Sequence, residues 1–260
     1  MAHKTLIGGT AYEIGGGKVL VGGTGYSIDK GRTKVGGTGY DIPFITGTPI
    51  GSLAVGTAVY MEFDGVRTEF LIVNQGNPDS TVYDESCDGT WLLLKTTSLT
   101  RTRMDTTNND YGDSSAHANL NGSSYLYKFS DAIRSIIKQV KIPYYGGGYP
   151  KSLHTGSNGL SAYIFLLSHA ELGGTYCEDG ATLAYFTSGA NSRIAKNTYG
   201  TKVDWWLRSP DHNDVLCDDY CYVTSTGGFK YENETEQNYY RYALILPSEA
   251  VVDEEFNVIA

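Results

Sequence analysis

The chain has 260 residues, 40% of them apolar and 19% charged, with a formal net charge of −9 at pH 7. This composition excludes a highly charged disordered chain, and no apolar run approaches the length of a membrane span. The negative charge argues against nucleic acid as a partner, because phosphate binding needs a basic face, and no apolar segment follows Met1 to indicate a secretory signal. The 32 glycines and 21 tyrosines, against 7 prolines, indicate many tight turns and strands.

A repeat occupies the beginning of the chain. Gly8, Gly22 and Gly36 mark three units with a period of 14 residues, each built around a Gly-Gly-Thr-x-Tyr motif. Each unit predicts a short strand, a turn that needs positive φ at glycine, and a second short strand. Such units contain too few apolar residues for a core, so residues 1–44 are predicted to pack against other copies in a homo-oligomer. A flexible Gly-rich leader is the alternative.

Strand and turn signals dominate residues 45–260, which we expect to form one domain. The strongest signal is a hairpin of residues 55–63 and 66–73 about the turn Asp64-Gly65. A second hairpin is predicted around residues 225–228. Further strands are predicted at residues 90–95, 160–167, 205–207 and 243–246.

Helical signals are fewer. The best predicted helix covers residues 130–140, with Ser130 as its N-cap and apolar residues at helical spacing. Shorter helices are predicted at residues 114–120 and after Ser168, where Ser168 and Glu171 have the spacing of a capping box. The sum predicts an α+β fold: an irregular, mostly antiparallel sheet with one or two helices and long loops, preceded by the β-rich repeats.

Signals for an enzyme are weak. The repeated glycines lack the Lys-Ser/Thr of a phosphate-binding loop, and Gly-x-Ser-x-Gly does not occur as a strand-to-helix elbow. The five histidines are scattered without metal-ligand spacing. Four cysteines are expected to be free thiols in a reducing cytosol. We therefore predict no enzymatic activity, no cofactor and no metal; calcium bound by the carboxylates around Asp214 is a weaker alternative to a solvated acidic loop.

Two polar, Tyr-rich segments, residues 211–222 and 231–240, have the composition of a binding surface, in which rigid aromatic groups supply contact area and small polar groups supply hydrogen bonds. Two ordinary polar loops are the alternative. The predicted recognition residues are Asp211, His212, Asn213, Asp214, Asp219, Tyr220, Tyr222, Tyr231, Asn233, Glu234, Asn238 and Tyr239. We expect Tyr220 and Tyr231 to be exposed, so that their replacement by Ala weakens binding and leaves stability nearly unchanged.

Three blocks near the end of the chain resemble a domain family that occurs in gut Firmicutes and their phages. The blocks are the Asp-Trp-Trp-Leu-Arg-Ser-Pro of 204–210, the hairpin of 222–229 and the Arg-Tyr-Ala-Leu-Ile-Leu-Pro-Ser of 241–248. The family ends in Trp-Leu-Arg-Ser-Pro, a variable stretch and Arg-Pro-Ala-Leu, so Tyr242 departs from its pattern. Residues 109–122 and 165–173 are similar to its central blocks, and the Gly-Gly-Thr-x-Tyr repeats resemble leaders of phage structural proteins.

The family is similar to C-type-lectin-type folds, to formylglycine-generating enzymes and to hypervariable receptor-binding proteins of diversity-generating retroelements. This resemblance implies a C-type-lectin-like domain of a phage tail or fibre protein, made in the host cytoplasm and built into the virion. Its C-terminal loops, open to diversification by a retroelement, would bind a protein or glycan receptor on a bacterial surface. The Asp, His, Asn, Tyr and Cys of 211–222 share codons with a middle purine and a final pyrimidine, as expected from variation of template adenines.

The resemblance also implies partners for the repeats, which would contact other virion proteins in a homo-oligomer, with a trimer favoured and no membrane insertion. Two other interpretations of the function are also compatible with the sequence. One is a bacterial domain that binds carbohydrate or acts like a formylglycine-generating enzyme, although the paired active-site cysteines of those enzymes have no match here. The other is a capsid decoration protein. Arg208 is expected to be structural rather than ligand-binding, and at least one of Trp205 and Trp206 is expected in the core.

Overall fold

The structure is a computed structural model that divides into two compact units, Met1–Thr46 and Gly47–Ala260. In the second unit it describes residues 47–106, 110–147, 151–211 and 219–259. In the first unit it describes the backbone of six short strands: β1 (Lys4–Ile7), β2 (Thr10–Glu13), β3 (Lys18–Val21), β4 (Thr24–Ser27), β5 (Gly31–Val35) and β6 (Thr38–Ile42).

The strands of the first unit lie where the sequence repeat predicts them. β1 pairs with β2, β3 with β4, and β5 with β6, each pair antiparallel and forming a separate two-stranded sheet. The register is the same in all three hairpins: Tyr12, Tyr26 and Tyr40 lie opposite residues 5, 19 and 33. The repeat in sequence is therefore a repeat in backbone geometry.

The second unit is built mainly of strands. In chain order these are β7 (Thr48–Pro49), β8 (Ala58–Phe63), β9 (Val66–Gln75), β10 (Thr90–Leu94), β11 (Arg101–Arg103), β12 (Val140–Ile142), β13 (Tyr144–Tyr145), β14 (Leu153–His154), β15 (Leu160–Ala162), β16 (Ile164–Leu166), β17 (Ala195–Lys196), β18 (Lys202–Val203), β19 (Trp205–Pro210), β20 (Asp219–Val223), β21 (Phe229–Asn233), β22 (Gln237–Tyr239), β23 (Tyr242–Leu246), β24 (Val251–Val252) and β25 (Val258–Ile259). The α-helices are α1 (Ser115–Leu120), α2 (Asp131–Ile136) and α3 (Ala190–Arg193). Short 3₁₀ turns occur at Ile50–Ser52, Glu85–Cys87, Tyr111–Asp113, Leu126–Lys128 and Ala184–Ser188.

Two five-stranded sheets form the frame of this unit. The central sheet has the order β16-β23-β10-β9-β8, and the C-terminal sheet has the order β11-β22-β19-β20-β21. All pairs are antiparallel except the short contact between β19 and β22, which is parallel. Smaller sheets, β12-β15, β13-β14, β17-β18 and β25-β24-β7, lie around them.

Every residue of β10, β19 and β23 is buried, so these strands form the middle of the core. Trp205 and Trp206, adjacent in β19, are both fully buried. Since neighbouring residues of a strand point to opposite faces, the C-terminal sheet is covered on both sides at this point. The expectation that at least one of the two lies in the core is confirmed.

The predicted α+β class is wrong. Among the described residues strands account for 38% and helices for 16%, with three short α-helices, so the fold is nearer to all-β. The predicted helix over 130–140 accounts for part of the error. Ser130 does cap a helix, accepting a hydrogen bond from the Ile133 backbone N–H, but the helix ends at Ile136, and Val140 pairs with Ala162 in a strand.

The other local predictions have mixed outcomes. The hairpin of β8 and β9 forms, with Asp64 and Gly65 both at positive φ (54° and 73°) as its tight turn requires. The short helix before Asn121 forms with Ser114 as its cap. After Ser168 the capping-box hydrogen bonds form, but the backbone there makes a turn rather than the predicted helix.

Candidate recognition surface

The C-terminal sheet carries a hairpin beside the first predicted recognition segment. β20 and β21 pair so that Asp219 lies opposite Asn233 and Cys221 lies opposite Tyr231. The chain between β19 and β20 leaves and rejoins the sheet at one point, where the Asp211 backbone N–H donates to the Asp219 carbonyl over 2.9 Å. The segment between these two residues therefore starts and ends on a fixed base.

Five half-buried side chains meet at this base, and we call them the recognition patch: Tyr176, Asp211, Asp219, Tyr231 and Asn233. Partners in register share a face of the sheet, so Asp219, Tyr231 and Asn233 lie on one side. The ring centroids of Tyr176 and Tyr231 are 5.4 Å apart. The Tyr176 hydroxyl donates to Asp211 Oδ1 over 2.8 Å, which joins the two ends of the patch.

The Tyr231 hydroxyl is a hydrogen-bond donor over the physiological pH range. Burial, followed by the neighbouring Cys221 and Cys177 thiols, raises its pKa well above the usual value for tyrosine. The patch thus combines two tyrosine rings, which supply contact area, with carboxylate and amide groups that form hydrogen bonds.

Tyr176 does not belong to the sheet; it comes from residues 168–180, which cover the same face of the sheet. The start of this segment is stabilised by reciprocal hydrogen bonds, from the Ser168 N–H to Glu171 Oε2 (2.8 Å) and from the Glu171 N–H to Ser168 Oγ (3.1 Å). Phe229 and Tyr231, on one face of β21, contact the His169 ring (4.2 Å) and the Tyr176 ring respectively.

A buried ion pair connects this segment to the sheet. Arg208 in β19 is fully buried and binds Glu171, also fully buried, through two nitrogens at 2.8 and 2.7 Å. Its remaining donors reach the carbonyls of Pro143, Leu166 and Asp179. A bidentate pair with every donor bonded fixes both position and angle. The expectation that Arg208 is structural is confirmed.

A second polar contact fixes the far end of the segment. The Ser209 hydroxyl donates to Asp179 Oδ2 over 2.7 Å and accepts a hydrogen bond of the same length from the His169 N–H. Asp179 and Ser209 are fully buried. Burial raises the pKa of Asp179 to about 6, against the opposing effects of Arg208 and Ser209. Residues 168 to 180 are therefore bound to β19 at both ends, with Tyr176 between.

Gly174 is required by close packing inside the segment. A Cβ atom at this position would lie 2.0 Å from His169 Cε1, far inside contact distance. His169 is only 4% exposed and its ring also packs against Phe229. Glycine therefore allows the backbone that leads to Tyr176 to pass directly over the histidine.

The described thiols are buried and protonated. Burial, with smaller effects of Glu171 and Asp84, raises the pKa of Cys87 to about 12. Burial likewise raises the pKa of Cys177 and Cys221, which are neighbours of Tyr231. None of the three forms a disulfide. Because the thiolate is the reactive form, none of them has the character of an activated nucleophile at neutral pH.

The structure brings part of the predicted recognition set together. Asp211, Asp219, Tyr231 and Asn233 are in the patch. Tyr239 is half-buried on β22, where the Arg101 guanidinium lies 5.9 Å from its ring centroid. The remaining three on the first segment, His212, Asn213 and Asp214, lie outside the described residues.

Four predicted recognition residues are not at the surface. Tyr220 is fully buried, and Tyr222, Glu234 and Asn238 are exposed by only 9%, 5% and 2%. For the two tyrosines the reason is strand alternation, because Tyr220 and Tyr222 point to the face of β20 opposite to that of Asp219. On that face the Tyr222 ring packs edge-on against Trp206, with ring centroids 6.0 Å apart. The expectation that Tyr220 is an exposed anchor is therefore wrong.

Sequence reasoning missed Tyr176, which lies between Gly174 and Cys177 in a segment with no strand or helix period. Its proximity to Tyr231 depends on the Arg208–Glu171 pair, a contact between residues far apart in the chain. A lone tyrosine in a loop carries no signal that would have found it.

Across the residues that the structure describes, no three His, Cys, Asp or Glu side chains are grouped so as to hold a metal ion. None of the described helices has the length and apolar character of a membrane span.

A family model described as Domain of unknown function (DUF6273) matches residues 88–248 of the chain. This range starts just before β10 and ends after β23, and it contains β19, β20, β21 and the whole recognition patch. No curated protein and no solved structure matches the sequence.

Proposed function

The chain belongs to the DUF6273 family, and from its recognition patch we propose that it is a receptor-binding protein of a phage virion, which attaches the particle to a bacterial surface. The observation that carries the proposal is the patch itself: the ring centroids of Tyr176 and Tyr231 are 5.4 Å apart, beside the base of the segment 212–218, on a frame held together by a buried ion pair and hydrogen bonds.

Rigidity of the frame supports a binding role. Loops on a fixed scaffold are where proteins place recognition residues, and a pre-organised surface loses less conformational entropy when it binds. Tyrosine adds to this effect because its ring provides large contact area with two rotatable bonds. In this chain the frame is β19 and residues 168–180, joined by Arg208 and Ser209.

The charge of the patch indicates what its receptor presents. Asp211 places a carboxyl group at the Tyr176 hydroxyl, Asp219 lies on the same face of the sheet as Tyr231, and the chain as a whole has a net charge of −9. Complementary partners of such a surface offer hydrogen-bond donors or positive charge. Hydroxyl-rich glycans and basic or amide-rich protein loops both meet this requirement, and the proposal includes both.

We infer that the chain is not an enzyme. Next to Tyr231, burial keeps the Cys177 and Cys221 thiols protonated, and the Ser209 hydroxyl is bonded to Asp179 and to the His169 backbone rather than to a histidine ring. Neither group is arranged as a nucleophile with an adjacent base.

The proposal is tested with the full chain, labelled with a fluorophore and incubated with a panel of Firmicutes cells. Saturable binding to at least one strain, and inhibition of phage adsorption to that strain by the unlabelled chain, are expected. Saturable binding to none of the strains, or binding that leaves phage adsorption unchanged at saturation, would contradict the proposed function.

A further inference from the structure

A groove of about 470 Å³ lies in the second unit, and none of its lining residues belongs to the recognition patch. Its walls come from the β8–β9 hairpin, the residues after β10, the segment around Tyr125 and the start of β23. This volume is within the usual range for a small-molecule site. We call it the aromatic groove, because its floor is made of Phe63, Tyr125 and Tyr242 with Leu94.

The three rings of the floor pack against one another. The centroid of Tyr242 lies 5.3 Å from Tyr125 and 6.0 Å from Phe63, and Phe63 and Tyr125 are 6.3 Å apart. Tyr242 begins β23 and is only 1% exposed, so it supports the floor from behind, and the aromatic surface that a ligand can reach is that of Phe63 and Tyr125, which are partly buried. The floor is thus a fixed aromatic surface.

Hydroxyl groups form the rim of the groove. Thr96, Thr100 and Thr198 line it from two separate segments, and their side-chain hydroxyls form no hydrogen bond to any described residue. Thr68 also lines the groove, and its hydroxyl donates to the Val66 carbonyl over 3.1 Å, which leaves its oxygen as an acceptor. These groups are available to a polar ligand.

Charge at the groove is paired. Lys128 and Asp64, at one end, form an ion pair at 2.9 Å. A charged ligand would have to compete with this contact. Two exposed apolar side chains, Val66 (62% exposed) and Leu99 (79% exposed), flank the opening. Exposed apolar groups beside a concave aromatic surface are typical of ligand sites.

We propose that the aromatic groove binds an uncharged saccharide. A sugar ring has a face of C–H groups that packs on aromatic rings and an edge of hydroxyls that exchange hydrogen bonds with threonine. The groove offers both kinds of surface and no unpaired charge among its described residues. This site is separate from the recognition patch and does not depend on the proposed function.

The test is saturation-transfer difference NMR on the full chain with maltotriose, chitotriose and galactobiose as probes. At least one of them is expected to show transfer to its ring protons. Thr198→Trp, which adds bulk at the rim without removing a core residue, should abolish the signal, and Leu99→Ser should weaken binding by about tenfold. Leu153→Ser, at a surface leucine outside the groove, is the matched control and should bind like the wild type.

Three outcomes would overturn the proposal. One is the absence of transfer to all three saccharides. Another is transfer that persists in Thr198→Trp, which would place the sugar elsewhere. The last is a saturation-transfer signal that is lost in Tyr231→Ala but kept in Thr198→Trp, which would place the sugar on the recognition patch.

Discussion

At the scale of single residues, Asp179 combines full burial with incomplete hydrogen bonding. Its Oδ2 accepts from Ser209, whereas Oδ1 has no hydrogen-bond partner among the described residues. Burial raises its pKa to about 6. The folded protein therefore binds this proton more tightly than the unfolded chain, in which an aspartate has a pKa of about 3.9.

Protonated Asp179 is expected to contribute to the unfolding free energy in full below the pKa that it has in the unfolded chain. This contribution is lost as the pH rises through about 6, its pKa in the folded protein. Asp179→Asn removes this titration, so the difference in unfolding free energy between wild type and variant should change by on the order of 2 kcal/mol between about pH 4 and 7. Urea denaturation across this range measures it. Asp131→Asn, at a side chain 94% exposed, is the control, and a pH-independent difference for Asp179→Asn would refute the prediction.

Tyr220 is the second residue whose burial has a measurable consequence. Its hydroxyl is buried and has no hydrogen-bond partner among the described residues. Tyr220→Phe removes that unsatisfied group and keeps the ring, so the unfolding free energy should stay the same or rise by up to about 1 kcal/mol. Tyr220→Ala should instead lower it by about 3–5 kcal/mol, because it leaves a cavity. Chemical denaturation distinguishes the two, and a large loss of stability in Tyr220→Phe would show that the hydroxyl is bonded.

At the scale of elements, the position of the recognition patch depends on the contact between β19 and residues 168–180. Arg208→Met leaves Glu171 charged and unpaired in the core, and should destabilise the fold by about 3–5 kcal/mol. The double variant Arg208→Met with Glu171→Met should lose less unfolding free energy than Arg208→Met alone, because no unpaired charge remains in the core.

A surface ion pair provides the comparison. Lys95 and Glu69 are 2.6 Å apart with side chains 48% and 29% exposed, so Lys95→Met should cost less than about 1 kcal/mol. Urea denaturation of the wild type, Arg208→Met, the double variant and Lys95→Met measures these differences in unfolding free energy. If Arg208→Met costs no more than Lys95→Met, the ion pair does not fix the segment.

The elements also show which parts of the structure sequence patterns predict. The β8–β9 hairpin was predictable because Asp64-Gly65 is a local signal for a turn with positive φ at both residues. The helix over 130–140 was overpredicted, since the pairing of Val140 with Ala162 is a long-range contact that periodicity does not contain. The exposed side of β20 was not predictable, because both Cys221 and Tyr222 are buried and the strand lacks apolar–polar alternation.

At the scale of the whole molecule, the first unit differs from the second in how it is built. Its three hairpins are separate two-stranded sheets, and such hairpins are marginally stable alone. The shared register places Tyr12, Tyr26 and Tyr40 at equivalent positions. A repeated backbone geometry of this kind fits assembly with other copies of the chain, which we propose as its role.

This proposal predicts that the full chain is a homo-oligomer, with a trimer favoured, and that a chain starting at Gly47 is a monomer with an unchanged fold. Light scattering coupled to size-exclusion chromatography measures both masses, and circular dichroism checks the fold of the shorter chain. Equal oligomeric states for the two chains would assign assembly to the second unit instead.

Binding to cells by variants of the recognition patch tests the central claim most directly. Tyr176→Ala combined with Tyr231→Ala should weaken attachment of the labelled full chain to a strain that it binds by at least about tenfold, since a few aromatic anchors usually carry most of the binding energy. Tyr127→Ala, at a tyrosine 60% exposed outside the patch, should bind like the wild type. Undiminished attachment of the double variant, with its thermal unfolding unchanged, would contradict the account.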